Sequence, residues 1–131
     1  MGWLYGAEYH IRGVQVNLFS GVNNGENSVL YGKPTACAVC YVPRRSTSVM
    51  IPARTSCPAG WTQEYTGYLM SEHTYPNRPP TMYICVDGAP EVERGPVLQS
   101  GATFVLVKIH CGTLPCSKYH NWEVACVVCT K

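Results

Sequence analysis

The chain has 131 residues and 46% hydrophobic content, enough for one or two small domains with an apolar core and too apolar for intrinsic disorder. Ten Lys and Arg stand against eight Asp and Glu, a formal charge of +2 from only 14% charged residues, and the basic residues are scattered, with Arg44-Arg45 the one adjacent pair. Without a cationic stripe to track phosphates the composition excludes nucleic acid as a partner, and without a run of roughly 18 apolar residues it excludes membrane insertion by a helix.

Ten prolines and twelve glycines leave little room for long helices, and the apolar residues alternate with period two, which predicts an all-β fold. In chain order, Val14, Val16 and Leu18 alternate with Gln15 and Asn17, Asn23-Asn24-Gly25 supplies the positive-φ residues of a tight turn, and Val29, Leu30 and Tyr31 follow. That pattern predicts a hairpin. Further strands are predicted over 36–42, 48–51, 62–70, 82–86, 103–110 and 123–130. Pro76-Asn77-Arg78-Pro79-Pro80 is a loop, because consecutive prolines cannot donate to a ladder. Trp61, in Cys57-Pro58-Ala59-Gly60-Trp61, is expected in the core.

Eight cysteines are far more than a cytosolic chain of this size carries, so an oxidising, extracellular setting is expected. No signal peptide is visible at Met1-Gly2-Trp3-Leu4-Tyr5, and the sequence reads as a mature form. Ala36-Cys37-Ala38-Val39-Cys40 recurs as Ala125-Cys126-Val127-Val128-Cys129. A zinc site built from the two C-x-x-C motifs is disfavoured because 85 residues lie between Cys40 and Cys126. Redox catalysis needs a thiol at a helix N-terminus, whereas both motifs lie in β-rich runs. Structural disulfides remain. In a strand, residues three apart face opposite ways, so Cys126 and Cys129 are poorly placed to bond each other and well placed to staple both faces.

No nucleophile elbow, zinc-protease motif, phosphate loop or dinucleotide fingerprint occurs. The eight acids are scattered and read as solvated surface, against both a paired-carboxylate enzyme and a calcium cage. His10, His73, His110 and His120 are isolated from one another in sequence. The expectation is a non-enzyme with no cofactor and no metal. Nine tyrosines and three tryptophans outnumber two phenylalanines, and such rings, apolar plates with polar tips, suit sugar faces and wet interfaces. Two turn-rich stretches mix them with amides and charges. The first offers Glu72, His73, Tyr75, Asn77 and Arg78 as ligand-binding residues, and the second offers His120, Asn121 and Trp122.

The run Cys57-Pro58-Ala59-Gly60-Trp61-Thr62, with Glu64-Tyr65, Gly67-Tyr68-Leu69-Met70, Tyr83-Ile84-Cys85-Val86-Asp87 and the closing Cys-Val-Val-Cys-Thr-Lys, resembles the C-terminal noncollagenous domain of sponge short-chain collagens (spongin). Tyr5-Gly6-Ala7-Glu8-Tyr9, Cys37-Ala38-Val39-Cys40-Tyr41-Val42 and Met50-Ile51-Pro52-Ala53 fit the same pattern. More distantly the chain is similar to the C-terminal domain of type IV collagen, which has two similar β subdomains, each closing on a C-x-x-C. The resemblance implies a disulfide-stabilised small β-sheet domain amounting to one and a half such subdomains. Residues 1–131 would form a single domain, with 1–45 a remnant of the first subdomain and 46–131 a complete second one.

The nested pairing of that family implies Cys57 with Cys129, Cys85 with Cys126, and Cys111 with Cys116. Closing the longest of these loops is worth about 4 kcal/mol on chain-entropy grounds. Cys37 and Cys40 are left open: they bond each other, bridge to another chain, or displace the nested order. No Gly-X-Y repeat occurs in the sequence, so there is no triple helix here to register. The expectation is therefore a secreted binding protein, a lectin-like homo-oligomer (dimer or trimer) whose partners are glycans or glycoproteins. The alternative is an extracellular-matrix assembly module of the short-chain collagen type.

Overall fold

A computed structural model describes residues 6–11, 18–19, 30–73, 80–92, 102–113 and 115–131. They form one six-stranded sheet: β1 (Ala7–Tyr9), β2 (Ser48–Pro52), β3 (Thr62–Glu72), β4 (Tyr83–Asp87), β5 (Ala102–Leu106) and β6 (Ala125–Thr130). Among the described residues the one helical element is a 3-10 turn at Ser117–Tyr119. The fold is all-β.

The eleven-residue β3 organises the sheet. One edge pairs antiparallel with β6 (Thr62↔Thr130 to Tyr68↔Ala125) and then with β5 (Met70↔Leu106 to Glu72↔Phe104), while the other edge pairs with β4 (Gly67↔Asp87 to Ser71↔Tyr83). β2 extends the sheet beyond β6 in antiparallel register, and β1 extends it beyond β5 in parallel. Leu69 marks the hand-over. Its N–H donates to the Val124 carbonyl (2.8 Å) and its carbonyl accepts from the Val107 N–H (3.0 Å), so the chain leaving β5 and the chain entering β6 part from β3 at this residue and pair with each other instead.

Alternation in β3 divides the core between two faces. Tyr68 and Met70 pack with Tyr9, Ile11, Phe19, Leu30, Ile84, Val86 and Phe104. Leu69 packs with Cys85, Cys126, Met50 and Val128 on the other side. The disulfides are Cys57–Cys129, Cys85–Cys126 and Cys111–Cys116, the pairs implied by the resemblance. Cys126 and Cys129 bond different neighbours from opposite faces of β6, as their odd spacing requires. Gly67 lies close against β4: a Cβ there would lie 1.7 Å from the Val86 carbonyl oxygen.

Four sequence expectations need correction or limits. Residues 36–42 are not a strand; they join no ladder among the described residues and are almost entirely exposed. A β-prone run needs a neighbour to bond, and the position beside β6 is taken by β2. Leu30 and Tyr31 lie in a turn closed by the Lys33 N–H on the Leu30 carbonyl (3.0 Å), with Gly32 at φ 69°; the rest of the predicted 14–31 hairpin falls almost wholly outside the described residues. Trp61 is half-buried on a turn in which its N–H donates to Pro58 (3.2 Å) and Gly60 takes φ 80°. The stretch predicted as a strand to His110 is regular only to Leu106. β1 was not anticipated, because three residues are too short to display a period.

Candidate functional site

Past Leu69 the segments on either side of the 3-10 turn form a narrow arm. Val124 donates to Val107 (3.0 Å), Ile109 to Trp122 (2.9 Å) and Asn121 to Ile109 (2.8 Å). Lys108 Nζ lies 3.3 Å from Glu123 Oε1 across the same ladder. The Cys111–Cys116 disulfide closes the far end, where Tyr119 donates to Cys116 (2.7 Å) and Trp122 to Tyr119 (3.0 Å). Asn121 occupies the left-handed region at φ 66°, a conformation that asparagine tolerates better than most residues. The second predicted stretch is therefore a braced turn.

The braced backbone holds its rings outward. Trp122 is 59% exposed and Tyr119 41% exposed, yet the two rings meet edge to face with centroids 5.4 Å apart. Lys118 Nζ sits 5.0 Å from the Tyr119 centroid. His120 packs edge to face on His110 at 5.2 Å, and its Nδ1 accepts the Cys111 N–H at 3.3 Å. An accepting Nδ1 leaves the ring proton on Nε2, a hydrogen-bond donor toward solvent. Within one turn lie two exposed aromatic plates, an amide, an imidazole donor and an ammonium.

The first predicted stretch fares differently. Glu72 Oε1 accepts from Thr81 through both its N–H (3.3 Å) and its hydroxyl (3.1 Å), so this carboxylate clasps the two ends of its own loop. His73 donates its N–H to Thr103 (2.8 Å) and its ring lies 5.7 Å from His10, which in turn meets Tyr31 at 5.1 Å. Tyr75, Asn77 and Arg78 lie outside the described residues. The two stretches do not converge: His73 bonds Thr103 and Asn121 bonds Ile109, positions about 20 Å apart along an extended chain. The four histidines, isolated in sequence, meet in space as two pairs.

Sequence reasoning missed a third cluster. The irregular register between Gln63 and Tyr65 turns Glu64 out of the β3 ladder, and its Oε1 accepts from Arg45 Nη1 and from the hydroxyl of the buried Thr130. Arg45 Nη1 also donates to Thr130 Oγ1 at 3.0 Å. Glu64 had read as one more solvated acid; a bulge leaves no trace in hydrophobic periodicity. Two open depressions of about 240 and 430 Å³ flank this cluster, and both are lined by Cys40, Tyr41, Val42 and Arg45.

Burial shifts two described phenols. Burial pushes the Tyr9 phenol up to about 12, with Cys37 and Asp87 adding smaller effects of the same sign. Burial also raises Tyr65, again reinforced by Asp87 and by Cys40, and its hydroxyl donates to the Cys85 carbonyl at 3.0 Å. Both phenols belong to packing. No group of three or more His, Cys, Asp or Glu suited to a metal ion occurs among the described residues, and no described helix is long and apolar enough to cross a membrane. No known family profile matches the chain, and no solved structure matches it.

Proposed function

We propose that the chain is a secreted, non-enzymatic carbohydrate-binding protein whose site is the braced turn carrying Tyr119, His120, Asn121 and Trp122, and whose ligands are glycans or glycoproteins. The observation that carries this reading is the exposed Tyr119–Trp122 pair. Apolar plates of this size are ordinarily withdrawn from water, yet here a disulfide and a ladder hold the backbone so that they remain outside. A pyranose presents a face of C–H groups to such rings and a rim of hydroxyls to the groups around them. The ring faces take the first, while His120 Nε2–H, the Asn121 amide and Lys118 take the second. Because the turn is already ordered, little conformational entropy is lost on binding. Single sites of this kind are weak, and presentation in a homo-oligomer multiplies them. The three intrachain disulfides are typical of extracellular proteins and support secretion.

Titration of the protein with simple hexoses and N-acetylhexosamines, followed by Trp fluorescence, tests the reading. Saturable change that disappears in Trp122→Ala, with the far-ultraviolet spectrum retained, is the expected result. A flat response to every sugar would remove it.

The matrix-assembly reading is favoured by a different observation, the coincidence of all three disulfides with the pairs implied by the short-chain collagen resemblance. It predicts concentration-dependent association in sedimentation that sugars leave unchanged.

A further inference from the structure

The run 36–42 is exposed at every position but Val42. Val39 and Tyr41, at 105% and 89% relative exposure, are its most exposed large hydrophobics, and the thiols of Cys37 and Cys40 are both free and exposed. The run is nevertheless held at both ends. The Thr35 N–H donates to Ala7 (3.0 Å), and the Ser46 and Thr47 N–H groups both donate to Lys131 (3.1 Å). An apolar segment fixed in water by its own anchors fits a surface that another molecule covers.

The chemistry of the two thiols narrows the partner. Cys37 and Cys40 do not bond one another, and the other six cysteines are already paired. In an extended segment Cα atoms three residues apart stand about 10 Å from each other, beyond the roughly 7 Å that a disulfide spans. In an oxidising setting their sulfurs must find thiols elsewhere. The sequence echo points the same way: in β6 the pattern Ala-Cys-x-Val-Cys has both cysteines bonded outward to different neighbours. The exposed Tyr41 stands with Cys40 on the wall of the 430 Å³ depression that Pro43, Arg44, Arg45 and Glu64 also line. A projection next to its own hollow is the arrangement that a two-fold axis makes reciprocal, each copy filling the other.

We propose that the chain forms a covalent homodimer in which Cys37 and Cys40 of one copy are disulfide-bonded to Cys37 and Cys40 of a second, with each Tyr41 seated in the other copy's depression beside Arg44 and Glu64. Four thiols become two disulfides, giving up four protons and four electrons. These pass to two equivalents of a small-molecule disulfide, each leaving as two thiols. The covalent bonds hold the dimer together. The proposal deepens the oligomeric part of the reading above and stands without its sugar site, because dimerisation is read by mass and sugar binding by Trp122.

The test is the intact mass of the full chain after equilibration in a mixed reduced and oxidised glutathione buffer, with non-reducing peptide mapping. The expected species has twice the 14.4 kDa chain mass, returns to single chains with dithiothreitol, and maps interchain links only among Cys37 and Cys40 with the three intrachain pairs intact. The double variant Cys37→Ser/Cys40→Ser stays a single chain with an unchanged circular dichroism spectrum, and Tyr41→Ala lowers dimer yield several-fold. A single chain with two alkylatable thiols, a Cys37–Cys40 link, a glutathione adduct, or a dimer that survives the double substitution would each overturn it.

Discussion

At the scale of single residues, shape decides more than charge. Gly67 carries no side chain because the β4 backbone occupies the space where one would stand. The clash is with a carbonyl of the same sheet and cannot be relieved by a rotamer change. Gly67→Ala is therefore expected to cost about 3 kcal/mol or more, read as a fall in the denaturant midpoint; an unchanged midpoint would mean the strands part easily there. The two buried phenols give a pH signature. Tyr9 is pushed up to about 12 and Tyr65 is raised, chiefly by burial, so the fold favours their neutral forms. Stability from this source is complete below the ordinary tyrosine value of about 10 and drains away as pH rises toward 12. Spectrophotometric titration should show a late fraction of the tyrosine signal ionising with unfolding. Stability that increased between pH 10 and 12 would contradict the assignment.

At the scale of elements, the arm beyond β5 carries the proposed sugar site. Its disulfide closes a separation of only five residues, worth about 2 kcal/mol on chain-entropy grounds. That contribution is local: the Cys57–Cys129 and Cys85–Cys126 bonds tie the sheet together independently. Replacing Cys111 and Cys116 by serine should weaken sugar binding several-fold while the melting transition of the sheet shifts little. A collapse of the whole transition would show the arm to be part of the core.

These elements also mark how far the sequence could be read. β2, β3, β4 and β6 were legible as short runs of β-branched, aromatic and other apolar residues, which fit a strand whose side chains follow a period of two. The opposed directions of Cys126 and Cys129 followed from the same period of two. The run 36–42 misled because its pattern matches that of β6 while only the tertiary fold decides which copy gains neighbours. The stretch from Lys118 to Glu123 was visible as a mixture of rings and polar groups, but the meeting of Tyr119 with Trp122 and of His110 with His120 was not. Their approach depends on the 3-10 turn and on Ile109 bonding both Asn121 and Trp122. Glu72 reads as a ligand residue, and its hydrogen bonds with Thr81 are a contact that composition does not reveal.

At the scale of the molecule, a small sheet keeps its structure through burial on both faces of β3 and through disulfides anchored in β6 on both of its faces. That framework leaves two features facing water: the braced aromatic turn and the anchored cysteine run. In a covalent dimer the turn is present twice, and a bivalent ligand gains in avidity without any new contact. The most direct measurement is binding of the wild-type protein and of Trp122→Ala to an array of glycans, with the fold of both checked by circular dichroism. Selective binding by the wild type, lost at least tenfold in the folded variant, is the predicted result. An empty array, or equal binding by both proteins, would contradict the assignment of a carbohydrate site to this turn.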